Sequence, residues 1–184
     1  MAALTLIQIF KDELALRDSV LYQQANEIDM KTYPKSFLKI IVRDMFETLY
    51  SNPTGVGLAA NQVGLLLRIC VIDTKRDGKN PIVLINPDYE GIGELIESKE
   101  VCLSFPDSIV TTQRFKKIKV HYQNVMGEEF EEIVEGFKCT VFQHEIDHLN
   151  GICHVSTEHC CCIDDYIGRP KILADEIVNK IWGE

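Results

Sequence analysis

The run Gln143-His144-Glu145-Ile146-Asp147-His148 constrains this chain more than any other stretch of it. On a helix, His144 and His148 stand one turn apart on a single face, because side chains four residues apart are neighbours there. Two imidazoles so placed can hold one divalent metal ion, and Glu145 beside them can take a proton from a water on that ion. A buried helix of this kind packed on a sheet is a sound place for a metal. The same spacing also arises by accident in ordinary helices, so a third ligand must be sought elsewhere in the chain.

A length of 184 residues suits one domain with a proper core, and a single catalytic domain over 1–184 is expected. The net charge of −9, from 28 acidic against 19 basic side chains, works against a nucleic-acid partner, which needs a basic face. No apolar run approaches the ~20 residues that cross a bilayer. Lys11, Asp12 and Glu13 stand where a signal peptide would be unbroken and apolar. A cytoplasmic protein that binds neither nucleic acid nor membrane is the expectation. The cysteines are Cys70, Cys102, Cys139, Cys153, Cys160, Cys161 and Cys162, an odd number without a secretion signal, so no disulfide framework is expected.

Apolar Leu38, Ile41, Val42, Met45, Phe46 and Leu49 recur at helical spacing and predict a helix from Pro34 to Tyr50. After the loop Ser51 to Gly55 come short runs that read as strands: Leu67 to Asp73, Ile82 to Asn86, Ile109 to Thr112, Ile118 to Gln123 and Glu129 to Val134. A second helix is predicted over Gly136 to Leu149, ended by Gly151, and an amphipathic C-terminal helix over Lys171 to Trp182. This order predicts an α+β fold: mostly antiparallel small sheets packed around a central helix that carries the histidines, with a helix at the C-terminus.

A catalytic metal wants three protein ligands and one open position. The best third donor lies in Glu100-Val101-Cys102-Leu103-Ser104, where a Cys102 thiolate would suit a soft or borderline metal. The alternative is that Cys102 is merely a core cysteine in a strand. A third segment, Gly55-Val56-Gly57-Leu58-Ala59-Ala60-Asn61-Gln62, is dense in small residues and lets backbone approach a ligand closely. It lacks the Gly-Lys-Ser/Thr of a phosphate loop. Gln62 offers an amide donor suited to a developing oxyanion.

Taken in order, these three segments resemble the three motifs of peptide deformylases, over a stretch from about Pro34 to Gly151. The resemblance implies hydrolysis of the N-formyl group from the formyl-methionine of newly made peptides, with release of formate and nascent chains at the ribosome as partners. It implies Cys102, His144 and His148 as ligands of one divalent ion, iron(II) by preference, with zinc, nickel or cobalt able to take its place. Glu145 then matches the general base and acid, Gln62 and the backbone N–H of Leu103 the oxyanion donors, and Gly57 a backbone contact to the peptide. Val56, Phe137 and Val141 are the expected lining of a slot for the methionine side chain.

Two positions depart from those motifs: Val101 stands where glycine is normal and Asn61 where proline is common. A valine is stiff and resists positive φ, which would reshape the strand edge beside the ligand. The stretch His154 to Cys162 also departs from the apolar continuation of the family; its clustered thiols read as buried or reactive cysteines. Two other readings stay open. His144 to His154 also fits the H-E-x-x-H-x-x-G-x-x-H pattern of metzincin metallopeptidases, although the methionines at 1, 30, 45 and 126 leave no methionine turn after His154. A catalytically inactive binding module with a structural zinc would use the same Cys and His but leave Glu145 and Gln62 without work.

Overall fold

In the computed structural model, which describes residues 3–8, 20–153, 158–159 and 174–182, the helical spacing after Pro34 becomes α1 (Lys35–Ser51). Its apolar stripe of Leu38, Ile41, Val42, Met45, Phe46 and Leu49 is buried. Removing six such side chains from water stabilises the fold by on the order of 10 kcal/mol, an upper figure since the unfolded chain already hides some of that surface. That stripe packs on Leu58, Ile69, Val71, Val83 and Ile85, joined by Ile177 and Val178 of the C-terminal helix α3 (Ala174–Trp182).

The strands are β1 (Gly57–Ala59), β2 (Ile69–Ile72), β3 (Ile82–Cys102), β4 (Phe105–Gln123), β5 (Glu129–Glu135) and β6 (Glu158–His159). They form one antiparallel sheet in the order β1-β2-β3-β4-β5, with β6 on β4. Ile69 and Val71 of β2 face the α1 side, whereas Cys70 and Ile72 face α2 (Gly136–Leu149). Both faces of β2 are therefore covered, and its four residues read as one unbroken apolar run. α2 buries Val141, Phe142, Ile146 and Leu149 against Ile118, Val120, Val134 and Leu84. The α+β class and the antiparallel pairing follow the sequence reading, with the strands joined into a single sheet. Among the described residues no helix is long and apolar enough to cross a membrane.

The strands predicted over Ile82–Asn86 and over Ile109–Thr112 with Ile118–Gln123 are parts of two much longer ones. β3 runs on through Pro87; at the bulge between Ile85 and Asp88, Asn86 takes a left-handed φ of 51°. Its side chain holds that conformation by accepting from Ile28 N–H (2.8 Å) and donating to Ile28 C=O (2.8 Å) and Gln123 Oε1 (3.1 Å). Bulges between Ile85 and Asp88 and between Ile92 and Leu95 absorb the irregularity without ending the pairing. The closed end of this long hairpin pairs Cys102 with Phe105, and Leu103 and Ser104 form the turn between them.

Candidate metal centre and active site

That hairpin end and the face of α2 meet. Cys102 Sγ lies 3.1 Å from His148 Nε2, and donor atoms of Cys102, His144 and His148 all fall within 4.8 Å of one another. The two imidazole rings are 4.9 Å apart, centre to centre, at 78°. A small cavity of about 10 Å³, lined by Cys102, Phe105, His144, Asp147, His148 and Ile152, opens at this point. One cysteine sulfur and two imidazoles converging on so small a space fit a single divalent ion of the borderline-soft kind.

Each histidine is held by its other ring nitrogen, which leaves Nε2 of His148 towards the thiolate. His144 Nδ1 meets Glu100 Oε2 at 2.9 Å. His148 Nδ1 faces the Cys153 thiol at 3.6 Å. Such outer partners set tautomer and ring angle at metal sites. Glu100 in turn accepts from Arg114 Nε (2.7 Å) and Nη2 (2.8 Å), while Arg114 Nη1 donates to Asp147. Burial alone would raise the Glu100 carboxyl, but the hydrogen bonds and charges of Arg114 and His144 outweigh it and hold it at about 2. Nothing in the sequence singled out Arg114, and Asp147 and Glu100 stood in the motifs without a role.

Glu145 is buried on the same helix with its Oε2 lacking any hydrogen-bond partner. Burial raises this carboxyl more than the charge of neighbouring His144 lowers it, so that it stands at about 7. A carboxyl so placed can exchange a proton near neutrality. Gly57 lies directly against it: a Cβ there would stand 2.4 Å from Glu145 Oε1 and 2.8 Å from Cδ. Gly57→Ala is therefore expected to push the carboxylate aside and lower kcat by about 10- to 100-fold while metal content stays stoichiometric. Parent-like kcat in that variant would show that Glu145 has room to move harmlessly.

Gln62 sits in a 3₁₀ turn, Ala60–Val63, right after β1. Ala59 N–H fixes its Oε1 (2.9 Å), which turns Nε2 towards Cys102 Sγ (3.5 Å) and Ser104 Oγ (3.2 Å). Leu103, half-buried, lies next to Cys102 in the hairpin turn. Val56 packs against the cluster that contains Val141, whereas Phe137, in the first turn of α2, is exposed. Val101 points outward, 57% exposed, in β3 beside a register shift between it and Cys102. Its φ is not positive, so the β-branched side chain meets no backbone strain there. His154, Cys160, Cys161 and Cys162 lie outside the described residues.

An antiparallel α+β fold that gathers a cysteine sulfur, two imidazoles and a buried carboxyl at one point has the architecture of a metal-dependent hydrolase. Residues 11–168 match the family model of polypeptide deformylase. The peptide deformylase of Aquifex aeolicus is 48% identical over 149 residues, which cover 76% of this chain and 86% of that one. The crystal structure of peptide deformylase from Thermotoga maritima superposes with a TM-score of 0.72 at 37% identity, covering 85% of this chain and 99% of that chain. The class I type b enzyme of Acinetobacter baumannii with Met-Ala-Ser bound gives a TM-score of 0.71 at 28% identity, covering 83% and 96% of the two chains. This chain belongs to the polypeptide deformylase family. That membership favours neither the metzincin pattern nor a purely structural zinc module.

Proposed function

We propose that this protein hydrolyses the N-formyl group of formyl-methionine at the start of newly made peptides, acting as one catalytic domain over 1–184. The observation that carries this reading is the buried Glu145 carboxyl, with an oxygen left unpaired, on the helix that brings His144 and His148 to Cys102. The Met-Ala-Ser held by the Acinetobacter baumannii relative is the peptide that remains once formyl-Met-Ala-Ser has lost its formyl group.

Cys102, His144 and His148 are assigned as ligands of one divalent ion, iron(II) in the native enzyme, with zinc, nickel or cobalt accepted by the same atoms. When bound, such an ion supplies Lewis acidity, polarising a carbonyl oxygen and making water a better proton donor. Glu145 takes the proton of the attacking water as the new C–O bond forms at the formyl carbon, and later delivers it to the departing amine as the C–N bond breaks. One water and one formamide thus become formate and a free amino terminus. Gln62 Nε2 and the Leu103 N–H meet the charge that gathers on the former carbonyl oxygen. Gly57 offers backbone to the peptide, and Val56, Phe137 and Val141 take the methionine side chain. Nascent chains at the ribosome in the cytoplasm are the assigned setting, with no nucleic-acid or membrane partner.

Formate release from formyl-Met-Ala-Ser, by protein purified anaerobically with its metal content measured, tests the assignment. Stoichiometric iron with turnover, and loss of both after exposure to air, is the expected result. Bound metal without formate release would refute the activity, and equal turnover after aerobic purification would refute iron.

A further inference from the structure

Asn61 adjoins Gln62 in the 3₁₀ turn and is fully buried, yet it is not a packing residue. Its Nδ2 donates to the main-chain oxygen of His148 and, at 3.4 Å, to that of Leu21. Its Oδ1 has no hydrogen-bond partner. Turning the amide over would set that oxygen against two carbonyl oxygens, so the contacts themselves fix its orientation. A leucine would fill the same volume without burying an unsatisfied acceptor, which is unfavourable. The two donors are what the asparagine adds.

Consecutive side chains of one short turn therefore grip the two arms of the site. Asn61 holds the last turn of α2 at the carbonyl of His148, while Gln62 directs its amide at Cys102 on the hairpin arm. Arg114 makes the corresponding link elsewhere, between Glu100 of the hairpin and Asp147 of the helix. We infer that Asn61 is a positioning residue that fixes the separation between the Gln62 amide and the His148 imidazole. An oxyanion donor is effective only within a few tenths of an ångström of its place, and a misplacement of about 1 Å can cost 100-fold in rate. Resting on the deformylase reading, the inference adds what keeps the donor in register with the ligand helix.

The variant fold should survive, because the carbonyl of His148 also accepts from Gly151 N–H (2.9 Å) and that of Leu21 from the Cys153 thiol (3.4 Å). The experiment compares the parent, Asn61→Leu, Gln62→Met and the double variant on formyl-Met-Ala-Ser, with folding checked by circular dichroism. Asn61→Leu is expected to lower kcat about 10-fold with KM within about 2-fold of the parent, and to add less than about 2-fold in the Gln62→Met background. Losses that multiply in the double variant would overturn the inference. Release of cobalt(II) to a chelator gives a second reading that needs no turnover: it should be several-fold faster in Asn61→Leu, and an unchanged rate would overturn the link to His148. Should the parent release no formate, the deformylase reading falls, while the cobalt comparison still decides what Asn61 does for the ligand helix.

Discussion

Replacing Glu145 by glutamine is expected to leave the metal bound and to lower kcat by about 1,000-fold. Glutamine has nearly the same shape, so it can occupy the space between Gly57 and the ligand cluster without moving α2. His144 and His148 are carried by that helix, and Cys102 by the hairpin; none of the three depends on the Glu145 carboxylate for its place. What the substitution removes is the proposed proton acceptor. The native carboxyl, raised to about 7 by burial, can hold and release a proton close to neutrality, whereas an amide cannot take one at any accessible pH. Metal analysis beside formate release separates the two effects. A variant with full metal and more than a tenth of the parent kcat would remove Glu145 from the proton path. A variant that loses its metal would make the residue a support for the ligands instead.

Much of this site was legible because its parts are local. The helix over Gly136–Leu149 follows from the sequence with the bounds it has in the structure, since its apolar face and the glycines near its ends are signals a few residues long. Cys102 was reachable as a candidate donor because a second segment of matching chemistry exists. The rest depends on contacts between distant residues. Arg114 reads locally as one more cation on a strand, and its partners Glu100 and Asp147 stand 14 and 33 positions away. The long hairpin was hidden in the same way: Asn86 and Pro87 look like the end of a strand, and the bonds that hold Asn86 at the bulge reach Ile28 and Gln123, 58 and 37 residues distant. Asn61 showed itself as a departure from the family motif, but its contact with the helix end spans 87 positions.

Arg114→Met is expected to destabilise the protein by about 3–5 kcal/mol at neutral pH, a fall in Tm of about 10 °C for a chain of this size. The guanidinium is 2% exposed and bonds both oxygens of Glu100 as well as Asp147. Methionine keeps much of its volume but takes the guanidinium away from two buried carboxylates, leaving Glu100 with His144, and breaking such a set costs far more than losing an exposed pair. The pH dependence has a definite sign. In the parent, Glu100 is held at about 2, below its unfolded value of about 4.3; its contribution is complete above the unfolded value and is lost as pH falls through the folded one. In the variant His144 alone is left to hold the carboxyl down against burial, so less stabilisation remains to be lost in acid. The gap in Tm between the metal-free proteins should therefore hold from pH 7 to pH 5 and narrow from about pH 5 to pH 3. A gap under about 2 °C, or one that does not change with pH, would mean that the carboxylates reach water and that Arg114 is no more than a surface cation. His144 loses the fixed carboxylate behind its ring in the same variant, so metal affinity should drop by about 10- to 100-fold, which ties the stability of the strand pair to the strength of the metal site.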